Sequence, residues 1–496
     1  MHTPSRPPGF RTAVLTLAFG SGFGVLAMEI AGARLLAPTY GLSTIPWTAI
    51  LSVVLTGLAL GNAVGGRLAD RSPVPLFVLV ALAGLTPFVA VWGGVLAEAA
   101  LQQWGFLRGA VATSAVFFGP PSLLLGMVTP YLVRRYTAKL EEVGARAGEV
   151  SAAATVGGIV GSLVTGFVLL PALPLSLILC LVGGFLFLLA ALAAELEGRR
   201  RSVVFGLAVA APAAAAMGLF PGERSPEVVY EGQSLHAAIR VVDSEWFGGV
   251  PVRELWQNGS RSSVEILSTG EPAHQYQVSA GWLVESRLDE VESLLVLGGA
   301  ANSFPVAMKR WQPRLRVDVV EIDPQVVEVA REYFAYGSLP PDALGMYVED
   351  ARHFLRRRGD RYDVIFTDVY DNLFSLPWTM VTQEAFQEKE ARLSPHGFVM
   401  MTVTTPIGGP GALFLRRLLA TAESVFPHVR IHPARRMQDV RRTREVLLVM
   451  ARDPDHLPEA ELSSWSLEPQ GPPFTDRHAP VEYLQAHLFL HDPAWR

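Results

Sequence analysis

Six long apolar stretches without charge crowd the first 222 residues of this chain. Residues 12–28, 35–66, 72–97, 109–133, 150–194 and 202–222 contain no Asp, Glu, Lys or Arg. A helix needs about 20 apolar residues to cross a bilayer, so these stretches predict membrane spans. They exclude a single ordinary soluble enzyme, as does a charged fraction of 18%, where a typical soluble domain has about 25%. Residues 150–194 suffice for two spans, with Pro171 and Pro174 supplying the break. Residues 38–41 (Pro-Thr-Tyr-Gly) read as a loop before the second span. Seven spans are expected, near 13–36, 46–68, 74–96, 110–133, 148–170, 175–194 and 202–220. The first carries Glu29 and Arg34 and lacks a clean small-residue cleavage site, so it reads as a span rather than a cleaved signal.

Charge divides the chain at the same place. Residues 1–222 hold 13 Lys/Arg against 8 Asp/Glu, a net of +5; the remainder holds 28 against 38, a net of −10. Arg6 and Arg11 precede span 1, Arg67 and Arg71 follow span 2, Arg134, Arg135, Lys139 and Arg146 follow span 4, and Arg199–Arg201 follow span 6. All fall on one face, which the positive-inside rule makes cytoplasmic, together with the N-terminus. Seven spans then put the C-terminal half on the extracytoplasmic face; a count different by one puts it in the cytoplasm. The lone cysteine, Cys180, excludes a disulfide framework and CxxC zinc sites. The histidines show no metal-ligand spacing, so no metal is expected. An acidic soluble half argues against nucleic-acid binding, which needs Lys and Arg for the phosphates. The clusters Arg356–Arg358, Arg435–Arg436 and Arg441–Arg442 read as solvated faces or membrane-surface contacts.

Small residues recur four apart at Gly20/Gly24, Gly57/Gly61/Gly65 and Gly157/Gly161. Such faces let helices approach closely in lipid. Glu29 and Arg34, ionisable groups inside a span, form either an internal ion pair or a polar site for a cationic ligand. Pro120, Pro121 and Pro130 predict broken backbone in span 4.

The soluble half reads as two pieces, so the chain divides into 1–222, 223–290 and 291–496. The middle piece holds short strands at Val228–Tyr230, Ala238–Val242, Val252–Gln257 and Ser262–Leu267, punctuated by Gly248-Gly249 and Asn258-Gly259. Asn-Gly between strands is a hairpin signal. The last piece alternates: strands at Ser293–Leu297, Val317–Glu321, Met346–Val348, Tyr362–Thr367 and Phe398–Thr404, with helices after Asn302, over Pro324–Phe334 and over Gln383–Leu393. Alternation of this kind implies a parallel sheet binding ligands at its carboxyl edge. Acidic residues sit there. Glu321 closes the second strand, 22 residues after Gly299, where an acidic group grips ribose hydroxyls in nucleotide-binding folds. Asp350 follows the third strand, and Asp368 and Asp371 the fourth. Each is also a candidate helix N-cap.

The segments LLVLGGAANS, VDVVEIDPQVVEVAREYF, YVEDARHFL, RYDVIFTDVYDN and LSPHGFVM resemble the spermidine synthase family of aminopropyltransferases. More loosely, so do HAAIRVVDSE and LWQNG. MEIAGARLLAPTYGLSTIPWTA, LTGLALGNAVGGRLADR and FTDRHAPVEYL resemble membrane-integrated spermidine-synthase-like proteins. The resemblance implies a helical membrane bundle fused to a methyltransferase-like Rossmann fold with a small β-rich subdomain. It implies decarboxylated S-adenosylmethionine as co-substrate, bound by Gly298, Gly299, Ala301, Glu321 and Asp350. It further implies a di- or polyamine held by Tyr370 and Asp371, a homodimer, Asp368 as the base, and Tyr276 beside the amine.

Several positions depart from that pattern. Ala301 stands where the family has a loop aspartate for the aminopropyl ammonium. Ala237 replaces a glutamine, Gln277-Val278 a His-Glu pair, and Asn372 a proline. Two other readings follow from these losses: another S-adenosylmethionine-type transferase such as a methyltransferase, or a non-catalytic polyamine or nucleoside binder coupled to transport.

Overall fold

The computed structural model describes residues 9–40, 44–71, 74–90, 93–198, 227–246, 248–357, 359–370, 376–434, 439–459 and 464–485. It divides into two compact units, Met1–Arg224 and Ser225–Arg496.

The first unit is helical: α1 Phe10–Tyr40, α2 Thr44–Arg71, α3 Leu76–Ala90, α4 Gly93–Tyr136, α5 Val143–Val164 and α6 Leu175–Leu196. Five segments are long and apolar enough to cross a membrane: Phe10–Ala37, Thr44–Arg71, Leu107–Tyr136, Leu140–Ala172 and Leu175–Leu196. α3 is apolar but has only 15 residues. The seventh expected span, 202–220, lies outside the described residues.

Two expectations fail in the bundle. Residues 38–40 belong to α1 rather than to a loop. Pro120, Pro121 and Pro130 do not break α4, which runs unbroken for 44 residues. A proline removes one N–H, and packed neighbours let apolar helices tolerate that loss. The expected break before α6 does occur: after α5 the backbone passes through a π-helical turn, Thr165–Leu169, and the helix stops at Leu173–Pro174.

The glycine faces are contact faces. A Cβ on Gly157 would lie 1.9 Å from the Phe19 carbonyl oxygen and one on Gly161 2.5 Å from that of Phe23, so α1 and α5 run parallel with backbones touching. A Cβ on Gly61 would lie 2.3 Å from the Leu123 oxygen and one on Gly65 2.6 Å from the Met127 Cα, which joins α2 to α4 in the same way. Glu29 is buried inside the unit. Charged side chains collect at one end, paired as Arg11–Glu149, Arg134–Asp70 and Arg135–Glu197.

The second unit begins with an antiparallel sheet of β1 Val228–Gln233, β2 Ala238–Trp246, β3 Val250–Gln257 and β4 Ser260–Ile266. Asn258 and Gly259 turn β3 into β4 with positive φ at both, the geometry of a tight two-residue hairpin. Then follow α7 Gln275–Glu285, β5 Ser293–Leu297, α8 Ser303–Trp311, β6 Arg316–Glu321, α9 Pro324–Tyr333, β7 Gly345–Val348, α10 Ala351–Arg356 and β8 Tyr362–Thr367. The chain continues through α11 Gln383–Ala391, β9 Leu393–Thr405, α12 Leu413–Glu423, β10 His428–Pro433 and β11 Arg444–Ala451.

The large sheet has the order β10-β11-β9-β8-β5-β6-β7. Pairings from β7 to β9 are parallel, and β11 runs antiparallel to both neighbours. Leu295 and Leu297 face one apolar core, Leu294 and Val296 the other, so the sheet is covered on both faces. Tyr276, Ala280, Leu283 and Val284 of α7 belong to the second core, which places that helix with the large sheet rather than with the β-rich piece. Arg356 is less free than a solvated face implies: with the buried Arg352 it pairs with Glu388 and Asp476. Arg358, Arg435 and Arg436 lie outside the described residues.

Candidate active site

Strand register builds the site. Leu297 of β5 pairs with Val320 of β6 and with Thr367 of β8, so three parallel strands end level. The next residues, Gly298, Glu321 and Asp368, therefore share one rim. Gly298 adopts φ +94, and a Cβ there would lie 2.2 Å from the Asp368 carbonyl oxygen. Only glycine permits the loops after β5 and β8 to press together so closely. The amide of Asp368 also donates to the Leu297 carbonyl at 2.8 Å.

A cavity of about 410 Å³ opens on this rim, under the small sheet. Six carboxylates line it: Glu321, Asp323, Glu349, Asp350, Asp368 and Glu445. Gly298, Ala300, Tyr276, Tyr370, Ala237, His274 and Arg261 line it as well. The Tyr276 hydroxyl donates to Asp368 Oδ2 at 2.8 Å, and Gln277 Nε2 reaches the same hydroxyl at 3.4 Å. Burial pushes the Asp368 carboxyl up to about 7; the Tyr276 hydrogen bond opposes this and the Glu445 charge adds to it. Burial and the neighbouring Asp368 hold the Tyr276 phenol protonated, well above the ordinary tyrosine range. Tyr370 accepts from the Thr404 amide at 2.9 Å, and burial raises its phenol too.

Glu321 does more than face a ligand. Its Oε2 accepts from the amides of Gly299 and Ala300 at 3.0 and 3.1 Å, and its Oε1 accepts from the Asp323 amide at 3.2 Å. One carboxylate thus ties the glycine loop to the end of β6. Burial raises its carboxyl in spite of those three bonds. Asp323 caps α9 through Gln325, and Asp350 caps α10 through His353 at 2.8 Å. Asp350 thus caps α10 and also lines the cavity.

Two residues expected at the ligand lie off the cavity. Gly299 and Ala301 do not line the cavity. Gly299 is held from behind by Glu321, and Ala301 is fully buried in an apolar cluster with Ile239, Leu255 and Val329. That loop carries positive φ at Ala300 and Asn302, which turns Ala301 inward against the small sheet. Asp371 lies outside the described residues. Several cavity residues were not anticipated, among them Glu445, His274 and Arg261. Glu445 is the second residue of β11, a strand without a helix before it, and nothing local marks it. His274 and Arg261 come from the end and the hairpin of the β-rich piece, where only the fold turns them toward the rim.

The order of the large sheet, with its antiparallel strand inserted next to the edge, defines a methyltransferase-like Rossmann domain. The sequence model of the spermine/spermidine synthase domain matches residues 275–408. A polyamine aminopropyltransferase of Synechococcus sp. is 33% identical over 141 residues, covering 27% of this chain and 45% of the relative. A probable polyamine aminopropyl transferase of Bifidobacterium longum is 29% identical over 138 residues, covering 28% and 30%. The chain thus spans less than half the length of these curated relatives. A probable spermidine synthase from Corynebacterium glutamicum, known as a crystal structure, aligns at 20% identity with a TM-score of 0.39, covering 43% of this chain and 77% of that one.

Proposed function

We propose that the C-terminal unit transfers an aminopropyl group from decarboxylated S-adenosylmethionine to an amine, and that the N-terminal helices hold the enzyme in a membrane. The observation that carries this reading is Asp368: a carboxyl with its pKa raised to about 7, open to an acidic cavity and fixed by Tyr276. A base is most useful when its pKa lies near the working pH. The amine lone pair attacks the methylene carbon next to the sulfonium. The N–C bond forms, the C–S bond breaks, and sulfur leaves with the electron pair as a neutral thioether. The ammonium proton passes to Asp368. Tyr276 orients that carboxylate, and Glu445 supplies a second negative charge to hold the cationic acceptor. Glu321 keeps the glycine loop closed beside the adenosine ribose, and Asp350 stands at the adenine end.

Turnover by the purified full chain in detergent, with decarboxylated S-adenosylmethionine and a panel of amines, tests this. Production of methylthioadenosine that Asp368→Asn abolishes supports it. Absence of product with every amine, or an Asp368→Asn variant of unchanged rate, overturns it. One observation favours methyl transfer as a second reading: Ala301 points away from the cavity, so the loop supplies no carboxylate for an aminopropyl ammonium. Calorimetry separates the two, because a methyltransferase binds S-adenosylmethionine more tightly than its decarboxylated form.

Five apolar segments and a charged end support membrane insertion with that end cytoplasmic. A reporter fused to the C-terminus decides the side of the catalytic unit, which is extracytoplasmic if residues 202–220 cross and cytoplasmic if they do not.

A further inference from the structure

Among the described residues lining the acidic cavity, Arg261 is the one arginine or lysine. It is the second residue of β4, just after the Asn258-Gly259 turn, and it is built into place. Its guanidinium carbon lies 4.9 Å from the Trp246 ring centroid and 5.6 Å from that of Trp256. Its Nη1 donates to Glu254 Oε1 at 3.2 Å.

Glu254 is itself buried and accepts three further bonds, from the Ser244 hydroxyl at 2.8 Å and from the indole nitrogens of Trp246 at 2.9 Å and Trp256 at 2.7 Å. Burial alone would raise its carboxyl, but these donors and the Arg261 charge bring it below the usual range. The two indoles that stack on Arg261 are thus locked by the carboxylate that orients it. Among the described residues, Glu254 takes one of the five N–H groups of this guanidinium, and the rest of the fork is available to a ligand.

Arg261 also stands at a defined place relative to the base. Trp246 meets His274 edge-on with centroids 6.0 Å apart, His274 meets Tyr276 at 5.2 Å, and Tyr276 donates to Asp368. An aromatic wall therefore runs from the proton acceptor to a fixed cation. A plain diamine with its reacting nitrogen at Asp368 directs its second ammonium along that wall toward a like charge. An amine that carries a carboxylate meets opposite charges at both ends. We infer that the acceptor is an amino-acid-like amine whose carboxylate is taken by the Arg261 fork. This rests on the transfer reading above, and the bonds made and broken are the same.

Matched acceptors test it on the full chain: 1,4-diaminobutane, ornithine, which is that diamine with one added carboxylate, and 4-aminobutyrate. The carboxylated amines are expected to show the lower KM. Arg261→Gln is expected to raise their KM by about tenfold to a hundredfold, the loss of a charge-assisted contact, and to shift the preference toward the diamine. Arg261→Lys is expected to restore part of the preference. Glu254→Gln, which removes the partner but keeps the cation, is expected to retain it. A wild-type preference for the diamine, or an equal effect of Arg261→Gln on all three acceptors, overturns the inference.

If no acceptor is consumed, the transfer reading fails and binding decides the role of Arg261 by itself. Thermal stabilisation with methylthioadenosine present should then be larger for 4-aminobutyrate than for 1,4-diaminobutane, and Arg261→Gln should remove the difference. No such difference in the wild type overturns the inference.

Discussion

The two units handle charge in opposite ways. In the helical unit the ion pairs collect at one end, and the helices meet through glycine, backbone against backbone. In the C-terminal unit charge goes inside. Glu321, Asp323 and Glu254 are buried within nets of donors, Arg352 is buried among Glu388 and Asp476, and Lys389 is fully buried against the Met380 carbonyl. Lipid offers no partner for a charge, so a bundle held in a membrane, as proposed above, would keep charges at its ends, with buried Glu29 the exception. A soluble domain can satisfy a buried charge with amides and hydroxyls, and where it leaves one only partly satisfied, chemistry becomes possible.

The largest effect should come from Asp368, an acid of raised pKa that lines the cavity. Asp368→Asn is expected to lower kcat by about 10² to 10⁴, the range for loss of a general base. The same change should stabilise the fold above neutral pH. A carboxyl raised from 3.8 to about 7 contributes stability fully present below pH 3.8 and lost as the pH rises through about 7; asparagine has no such loss. Activity and thermal melting at pH 8 check both halves. A correlated prediction is a rising limb in kcat/KM with an apparent pKa near 7, because the base acts unprotonated.

Close backbone contact gives the next effects, one in each unit. Gly298→Ala forces a Cβ into the Asp368 carbonyl at a positive φ, and should cost about 3 kcal/mol or more in denaturant unfolding. In the bundle, Gly157→Ala meets the Phe19 carbonyl and should lower the melting temperature in detergent, whereas Gly66→Ala meets nothing within 4 Å and should leave it unchanged. Equal behaviour of the two bundle variants would remove backbone contact as the basis of helix packing. The smallest effect is expected at the charged end: Arg134→Gln breaks an exposed pair with Asp70 and should change stability by less than about 1 kcal/mol.

Much of this was legible in residue order. Runs without charge marked the helices, and strands such as Ser293–Leu297 and Tyr362–Thr367 begin and end where their apolar runs do. Glu321, Asp350 and Asp368 were found because they follow strands. The failures have physical causes. The prolines of α4 predict breaks in water, but packed apolar surroundings keep the helix whole. β10 and β11 were missed because the chain returns antiparallel there, without the alternation that betrays a parallel unit. The resemblance puts Ala301 at the ligand, but positive φ at its neighbours turns it into the small sheet.

Sequence alone determined the division into an apolar helical half and an acidic α/β half, because hydropathy and charge are local properties of the chain. It also determined the carboxylates at the strand ends, because those positions follow from the repeat. Only the tertiary structure decided which of them are tied up and which are exposed to a ligand. The three-bond clamp of Glu321, the approach of Glu445 to Asp368 and the wall from Tyr276 to Arg261 join residues up to 77 positions apart. Burial and neighbouring charge, not residue type, set what each of those groups can do.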